Sequence, residues 1–155
     1  MQKGFLVALR SHDYMNKPIG TLFLVEDNLD DERLSLRAIS GSGIRCEVEV
    51  ARDGVQALAR LIGSAGLAPD LIVLDFHLPG LSGLEILRAL RKEERTRRIP
   101  IVILSDLGSV EQSLACLDEG ASSYVQKPSD PQTYIERVGL MVQYWLTVDR
   151  RPNGA

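Results

Sequence analysis

The chain has 155 residues, 45% of them hydrophobic and 25% charged, and its formal net charge at pH 7 is −3. This length and composition are typical of one globular domain with its own core, without the basic excess of a protein that binds nucleic acid. No apolar run approaches the roughly 18–20 residues that cross a bilayer, so no membrane association is expected. The two cysteines, Cys46 and Cys116, fit neither a disulfide framework nor a metal-ligand spacing, and we expect a cytoplasmic protein with reduced thiols.

Apolar runs and capping residues predict five strands, each followed by a helix. In chain order the predicted strands are 21–25, 46–50, 71–74, 99–104 and 121–125. The candidate helix caps are Asp30 or Asp31, Asp53, Ser82, Ser109 and Asp130, and the last helix runs to about residue 148. This alternation predicts an α/β fold, a five-stranded parallel doubly wound sheet of the form (βα)5. We assign the domain to 19–148, between an N-terminal arm at 1–18 and a C-terminal tail at 149–155.

Four of the five predicted strands end in chemically reactive side chains. The first ends in two adjacent carboxylates, Glu26 and Asp27. The third, LIVL, is wholly apolar, as expected of a strand buried on both faces, and it stops at Asp75. The fourth ends in Ser105, and Lys127 follows the fifth. Because the carboxyl ends of parallel strands lie on one edge of the sheet, where ligands collect in open α/β folds, we expect these side chains to converge.

Three converging carboxylates repel one another and favour a bound cation. Two unit charges about 4 Å apart repel by about 4 kcal/mol at an effective dielectric constant of about 20. Oxygen ligands without a His or Cys cluster indicate Mg²⁺. A carboxylate beside Mg²⁺, with an ammonium and a hydroxyl nearby, can accept a phosphoryl group, so we predict in-line attack by Asp75 while Lys127 neutralises the phosphoryl oxygens.

A charge run, RKEERTRR, occupies 91–98. We interpret it as a solvated helix end. A nucleic-acid patch is the alternative, and the interleaved glutamates argue against it.

Four sequence blocks resemble the response-regulator receiver domain of bacterial two-component signalling. They are VEDN at 25–28, LIVLDFHLPGLSGLEIL at 71–87, VILSD at 102–106 and SYVQKP at 123–128. The blocks occur in the family's order and spacing, and the resemblance extends from about residue 21 to 148. It implies a flavodoxin-like sheet with strand order 2-1-3-4-5.

The resemblance also implies roles for the metal-site residues. Asp75 would be the phosphoacceptor and a ligand of Mg²⁺, and Asp27 a direct ligand. Glu26 would act mainly through a metal-bound water, and the backbone carbonyl of His77 would be a further ligand.

For the phosphoryl group, the resemblance implies that Ser105 and Lys127 bind its oxygens. Tyr124 would be a rotamer switch that swings inward when Ser105 is drawn to the phosphate. The Lys127–Pro128 peptide bond is often cis in such domains.

Two residues depart from the family pattern near the predicted site. Asp106 adds a negative group after Ser105, where the family usually has a small residue. His77 brings an imidazole that could overhang the site. Both bear on the lifetime of the aspartyl phosphate and not on the existence of the site.

The resemblance implies a signalling switch that a sensor histidine kinase phosphorylates, not an enzyme with its own substrate. The sequence most resembles stand-alone regulators paired with phytochrome-type or hybrid kinases, partly through YWLTV at 144–148. No output domain is expected after the last helix, so the output would be a protein contact. One alternative is a small Mg²⁺-dependent phosphohydrolase with an aspartyl nucleophile, although such enzymes usually carry an Asp where this chain has His77. A receiver that is never phosphorylated is another alternative, against which the retained site residues argue.

The last predicted helix carries two apolar stripes. The stripe expected to face the sheet is Ile135, Val138, Val142 and Trp145. A second stripe, Leu140, Tyr144 and Val148, recurs on a neighbouring face, where a solvated helix would normally carry charge. We expect a symmetric homodimer through the second stripe. The alternative is that residues 5–9 of the arm fold back and cover it.

Overall fold

The structure is a computed structural model that describes residues 19–64, 66–106 and 108–148. The strands are β1 (Gly20–Val25), β2 (Cys46–Ala51), β3 (Leu71–Asp75), β4 (Ile101–Ser105) and β5 (Ser123–Gln126). The helices are α1 (Leu29–Gly41), α2 (Gly54–Ile62), α3 (Gly83–Lys92), α4 (Val110–Asp118) and α5 (Pro131–Gln143). A single π-helical turn, Tyr144–Val148, continues α5. The predicted arm at 1–18 and tail at 149–155 lie outside the described residues.

The five strands form one parallel sheet in the order β2-β1-β3-β4-β5. This confirms the predicted doubly wound fold and its strand order. The register pairs Val25 with Leu74, Asp75 with Leu104 and Ser105 with Gln126. The carboxyl ends of β1, β3, β4 and β5 are therefore level with one another, which is the condition for a shared site at this edge.

Alternate residues of each central strand enter the two cores on opposite faces of the sheet, as the period of two requires. In β3, Ile72 and Leu74 pack with α2 and α3, whereas Leu71 and Val73 pack with α1 and α5. Every residue of β3 and β4 is buried. The outermost strand, β2, alternates between exposed glutamates and half-buried apolar residues, as its sequence predicts.

Most helix starts follow from local capping, and one predicted cap is wrong. Asp53, Ser109 and Asp130 each accept a backbone N–H at the start of a helix, and Ser82 forms a full capping box with Glu85. The cap of α1, however, is Asn28, whose Oδ1 accepts the N–H of Asp31 at 3.0 Å, and not Asp30 or Asp31. The helix starts earlier than predicted because Asn caps as well as Asp and comes first in the chain.

The charge run at 91–98 is only partly solvated. The guanidinium of Arg91 donates to the backbone carbonyls of Ile99 and Gly120, at 2.7 and 2.8 Å, and Arg95 donates to that of Ile62 at 3.0 Å. Thr96 is fully buried and donates to the carbonyl of Leu90. The run therefore fastens the end of α3 to its neighbours, which a solvated helix end would not do.

Within the described residues, each helix is too short or too polar to span a bilayer. The thiols of Cys46 and Cys116 are both free, and burial raises the pKa of each.

Candidate functional site

Three carboxylates meet at the carboxyl edge of the sheet. Glu26 and Asp27 follow β1, and Asp75 ends the neighbouring strand β3. One oxygen from each carboxylate lies within 4.8 Å of the other two. Glu26 is fully buried and Asp75 is 5% exposed, whereas Asp27 is exposed to solvent. The predicted convergence of these three residues is thus present in the structure.

Lys127 enters the same site from beyond β5. Its N–H donates to the carbonyl of Ser105 at 2.8 Å, which holds the residue against the end of β4. Its Nζ lies 2.8 Å from Glu26, 2.9 Å from Asp31 and 3.3 Å from Asp75. Only 6% of Lys127 is exposed, so its ammonium is a buried charge compensated by three carboxylates.

Asp31 is a site residue that the sequence reasoning missed. The sequence indicates Asp31 only as a candidate helix cap, but the Asn28 cap leaves its carboxylate available to Lys127. The two residues are 96 positions apart in the sequence, so no local pattern indicates their contact. Asp31 brings a fourth carboxylate to this edge.

Burial governs the proton equilibria of the site. Burial, with repulsion from Asp75, raises the pKa of Glu26 to about 8 against the opposing effect of Lys127. Burial also raises the pKa of Asp75, again against Lys127. For Lys127, burial alone would lower the pKa, but Glu26, Asp31 and Asp75 together raise it, so the ammonium keeps its proton. The acidic cluster is therefore arranged to take up a proton or a cation.

The donor set fits a hard divalent cation. The three clustered ligands are all carboxylate oxygens, the kind that Mg²⁺ prefers. The pKa values of Glu26 and Asp75 are raised, and a bound cation would lower them by stabilising the charged carboxylates. The oxygens of Glu26, Asp27 and Asp75 are the ones that would hold it.

Ser105 and Tyr124 are linked through a third residue, Gln112, which the sequence reasoning also missed. The Nε2 of Gln112 donates to Ser105 Oγ at 3.1 Å and to the Tyr124 hydroxyl at 2.7 Å. Ser105 is fully buried and Tyr124 is partly buried against the core. The pattern Ser109-x-x-Gln112 would indicate a capping box, in which the glutamine reaches back to the cap. Here the side chain instead reaches both hydroxyls.

The other predicted residues lie at the rim of the site. The N–H of His77 donates to Asp75 Oδ1 at 3.2 Å, whereas its exposed ring stacks edge-on against Phe76 with centroids 5.0 Å apart. Asp106 is exposed directly after β4. The Lys127–Pro128 bond is trans, contrary to the expectation that it is often cis.

The geometry has counterparts among known proteins. Residues 22–139 match the model of the response regulator receiver domain. The DNA-binding dual master transcriptional regulator RpaA of Synechocystis sp. is 35% identical over 109 residues, which are 70% of this chain and 43% of RpaA. The chain thus spans less than half the length of this relative.

Two solved structures resemble the whole described fold. The phosphorylated cyanobacterial phytochrome response regulator RcpA has a TM-score of 0.81 and 31% identity, over 86% of this chain and 99% of that one. The Mn²⁺-bound form of response regulator Rcp1 has a TM-score of 0.79 and 28% identity, over the same shares of the two chains. With the family match over most of its length, the chain belongs to the response regulator receiver domains.

Proposed function

We propose that the protein is a signalling switch that accepts a phosphoryl group on Asp75 from a sensor histidine kinase. The observation that carries the proposal is the surroundings of Asp75. This nearly buried carboxylate shares an edge with two further carboxylates and lies 3.3 Å from an ammonium. Those are the groups that phosphoryl transfer to a carboxylate requires.

In the proposed transfer, a carboxylate oxygen of Asp75 forms a bond to phosphorus as the bond from phosphorus to the histidine nitrogen of the kinase breaks. Mg²⁺ held by Glu26, Asp27 and Asp75 would offset the negative charge of the phosphoryl oxygens. Lys127 is already beside Asp75 and contributes its positive charge to the same oxygens. The hydroxyl of Ser105, at the end of the adjacent strand, donates a hydrogen bond to one of them. The backbone carbonyl of His77 is proposed as a further ligand of the metal.

The solved neighbours support this chemistry. One of them is phosphorylated, and another holds Mn²⁺, an ion with the oxygen preference of Mg²⁺. The phosphorylated neighbour is a phytochrome response regulator, and we propose a phytochrome-type kinase as the partner of this chain too. The free cysteines are consistent with a reducing, cytoplasmic location.

We further propose that the output is a protein contact and that one such contact is a homodimer through α5. Leu140, Tyr144 and Val148 are 67%, 50% and 67% exposed, so the part of the chain that the structure describes leaves the second apolar stripe uncovered. The first stripe packs inward as predicted, with Val138 and Val142 buried in the core. The apolar side chains of the stripe at 140–148 are therefore not part of the hydrophobic core.

The alternative of a phosphohydrolase has less support. Such enzymes usually carry a second Asp as general acid or base two residues after the nucleophile, and here that position is His77, whose ring is exposed. We therefore propose a receiver whose only chemistry is its own phosphorylation and dephosphorylation.

The proposal is tested by labelling the protein with acetyl phosphate and Mg²⁺. Wild type should gain one acid-labile, hydroxylamine-sensitive label per chain, and Asp75→Asn should gain none. Asp27→Asn should label far more slowly, because it removes a ligand oxygen and a charge that holds the ion. Asp30→Asn is the matched control, since Asp30 lies on the first turn of α1 with 89% of its side chain exposed, and it should label like wild type.

Full labelling of Asp75→Asn would end the proposal. Repeated turnover of a phosphomonoester by the wild type would favour the phosphohydrolase.

A further inference from the structure

The side-chain amide of Gln112 occupies the space between the end of β4 and the ring of Tyr124. One nitrogen, Nε2, donates both of its hydrogens, to Ser105 Oγ at 3.1 Å and to the Tyr124 hydroxyl at 2.7 Å. A side-chain amide nitrogen has two donor hydrogens, so it can serve both hydroxyls at once. The two hydroxyls are thus joined through a single atom.

The backbone around Gln112 holds this arrangement in place. The N–H of Gln112 donates to the Oγ of Ser109, which fixes the residue in the first turn of α4. Gly108 provides the room for the tyrosine, because a Cβ at this position would overlap the Tyr124 hydroxyl and lie 3.0 Å from two ring carbons. The tyrosine ring, the glycine and the amide are therefore fitted to one another.

We propose that Gln112 is a positioning residue that couples Ser105 to Tyr124, so that occupancy of the Asp75 site reaches the tyrosine through this amide. The inference rests on the proposed function, because it describes how the phosphorylated site acts on the rest of the domain. Gln112 is then the physical link between Ser105 and Tyr124, the two residues expected to form the switch.

The coupling follows from the geometry of a shared nitrogen. A phosphoryl oxygen on Asp75 accepts the hydroxyl proton of Ser105, and Ser105 turns about its only side-chain rotation to donate it. If Gln112 keeps its bond to the displaced Ser105 Oγ, Nε2 moves away from Tyr124 and that bond breaks. The Tyr124 hydroxyl then loses this donor, which frees the ring to take the new rotamer expected of the switch.

The test is a fluorine NMR measurement on protein labelled with 3-fluorotyrosine. Tyr124→Phe identifies the Tyr124 signal among those of the four tyrosines. Saturation with beryllium fluoride and Mg²⁺, a mimic of the phosphoryl group, should shift this signal in the wild type. In Gln112→Leu, which keeps a side chain of similar bulk but lacks both donors, the Tyr124 signal should no longer respond.

A matched control is available on α5. Gln132 also lies near the start of a helix and donates through Nε2, but its partner is Glu136 of the same helix, at 3.2 Å, and not Ser105 or Tyr124. Gln132→Leu should retain the wild-type response.

A second variant, Gln112→Glu, keeps the size and polarity of the side chain, and it tests the inference even if Gln112→Leu does not fold. A carboxylate only accepts, so Ser105 can bond to it only by donating its single proton, which is then not available to a phosphoryl oxygen. Labelling by acetyl phosphate should then be about tenfold slower than in wild type, the effect expected from one lost hydrogen bond to a charged group.

A wild-type Tyr124 response in Gln112→Leu, or wild-type labelling in Gln112→Glu, would overturn the role of Gln112 and leave the proposed function intact. If the wild type neither takes up label nor responds to beryllium fluoride, the proposed function and this inference both fail.

Discussion

Lys127 sets the charge balance of the site. Its Nζ lies within 3.3 Å of carboxylate oxygens from Glu26, Asp31 and Asp75, and the exposed Asp27 adds a fourth negative group nearby. A single ammonium does not neutralise four carboxylates. A proton or a divalent cation reduces the remaining negative charge, and the two compete for the same oxygens.

This competition predicts that Mg²⁺ binding releases a proton. The pKa of Glu26 is raised to about 8, so near pH 7 the metal-free folded protein holds a proton that the unfolded chain has lost. Between the ordinary glutamate pKa of 4.5 and about 8, the folded state binds more protons than the unfolded state, and its stability without metal should fall as pH rises. Mg²⁺ affinity should rise over the same range. Calorimetric titration in two buffers of different ionisation enthalpy measures the released proton.

Glu26→Gln is the control for this prediction, because it removes the titrating group and keeps its size. In this variant the stability of the metal-free protein should depend less on pH between 5 and 8. Binding heats that are identical in both buffers for the wild type would show that Mg²⁺ binding releases no proton, contrary to this prediction.

At the scale of elements, the turn from β3 to α3 fixes Asp75. The N–H of Gly83 donates to the carbonyl of Phe76 at 2.9 Å, so the start of α3 folds directly onto the residue after Asp75, the proposed phosphoacceptor. Ser82 and Glu85 close the helix start with a capping box. The capping residues determine locally where α3 begins, and the turn holds that helix start against the end of the central strand.

Gly83→Ala should disturb this turn. A Cβ at Gly83 would lie 2.7 Å from the Cα of Phe76 and 2.8 Å from the carbonyl oxygen of Asp75, and backbone atoms cannot move aside cheaply. We expect a loss of about 1–3 kcal/mol in the free energy of unfolding, as for an overpacked site, and slower labelling of Asp75. Urea denaturation and acetyl phosphate labelling measure the two effects.

Gly41→Ala is the matched control. Gly41 is the last residue of α1, and a Cβ there would meet nothing within 4 Å. Alanine should leave the free energy of unfolding unchanged or raise it by up to about 1 kcal/mol, since it is the better helix former. Equal stability of the two variants would show that the β3–α3 turn adapts to a Cβ.

At the scale of the whole molecule, α1 and α5 cover one face of the sheet and α2 and α3 the other. This arrangement leaves the stripe at 140–148 on the outer surface of α5 and its π-helical turn. In the proposed dimer, phosphorylation acts by making the affinity of this surface differ between the two states of the switch. A shift of population from 1:99 to 99:1 needs about 5.5 kcal/mol, so a partial shift on phosphorylation is the realistic expectation.

The dimer proposal predicts that Tyr144→Glu weakens self-association, because it buries a charge in the apolar interface. Sedimentation velocity over a range of concentrations, with and without beryllium fluoride, measures the effect. Val55→Glu is the matched control: Val55 is 64% exposed on α2, across the sheet from α5, and its change should leave association intact.

A deletion that starts the chain at Met15 tests the alternative, in which residues 5–9 of the arm cover the stripe at 140–148. If only the deletion dimerises, the arm covers the stripe in the full chain. A wild type that stays monomeric at high concentration in both states would contradict the homodimer.

The sequence by itself determined the features that depend on local chemistry. Apolar runs fixed the five strands, and caps such as Ser82 and Ser109 fixed where the helices begin, because capping joins residues three positions apart. Since parallel strands end at one edge, the convergence of Glu26, Asp27, Asp75 and Lys127 could also be predicted. The resemblance to receiver domains supplied the strand order and the expected roles.

Only the tertiary structure decided which side chains bind each other across the sheet. Lys127 pairs with Asp31 from 96 residues away, and the cap at Asn28, one position before the helix begins, left that carboxylate available. Gln112 matched a local capping pattern, yet its amide binds Ser105 and Tyr124. The full capping box does not form because water can satisfy the free backbone N–H groups at the start of a solvated helix. The hydroxyl of Ser105, buried at the end of a strand, needs a partner from within the fold.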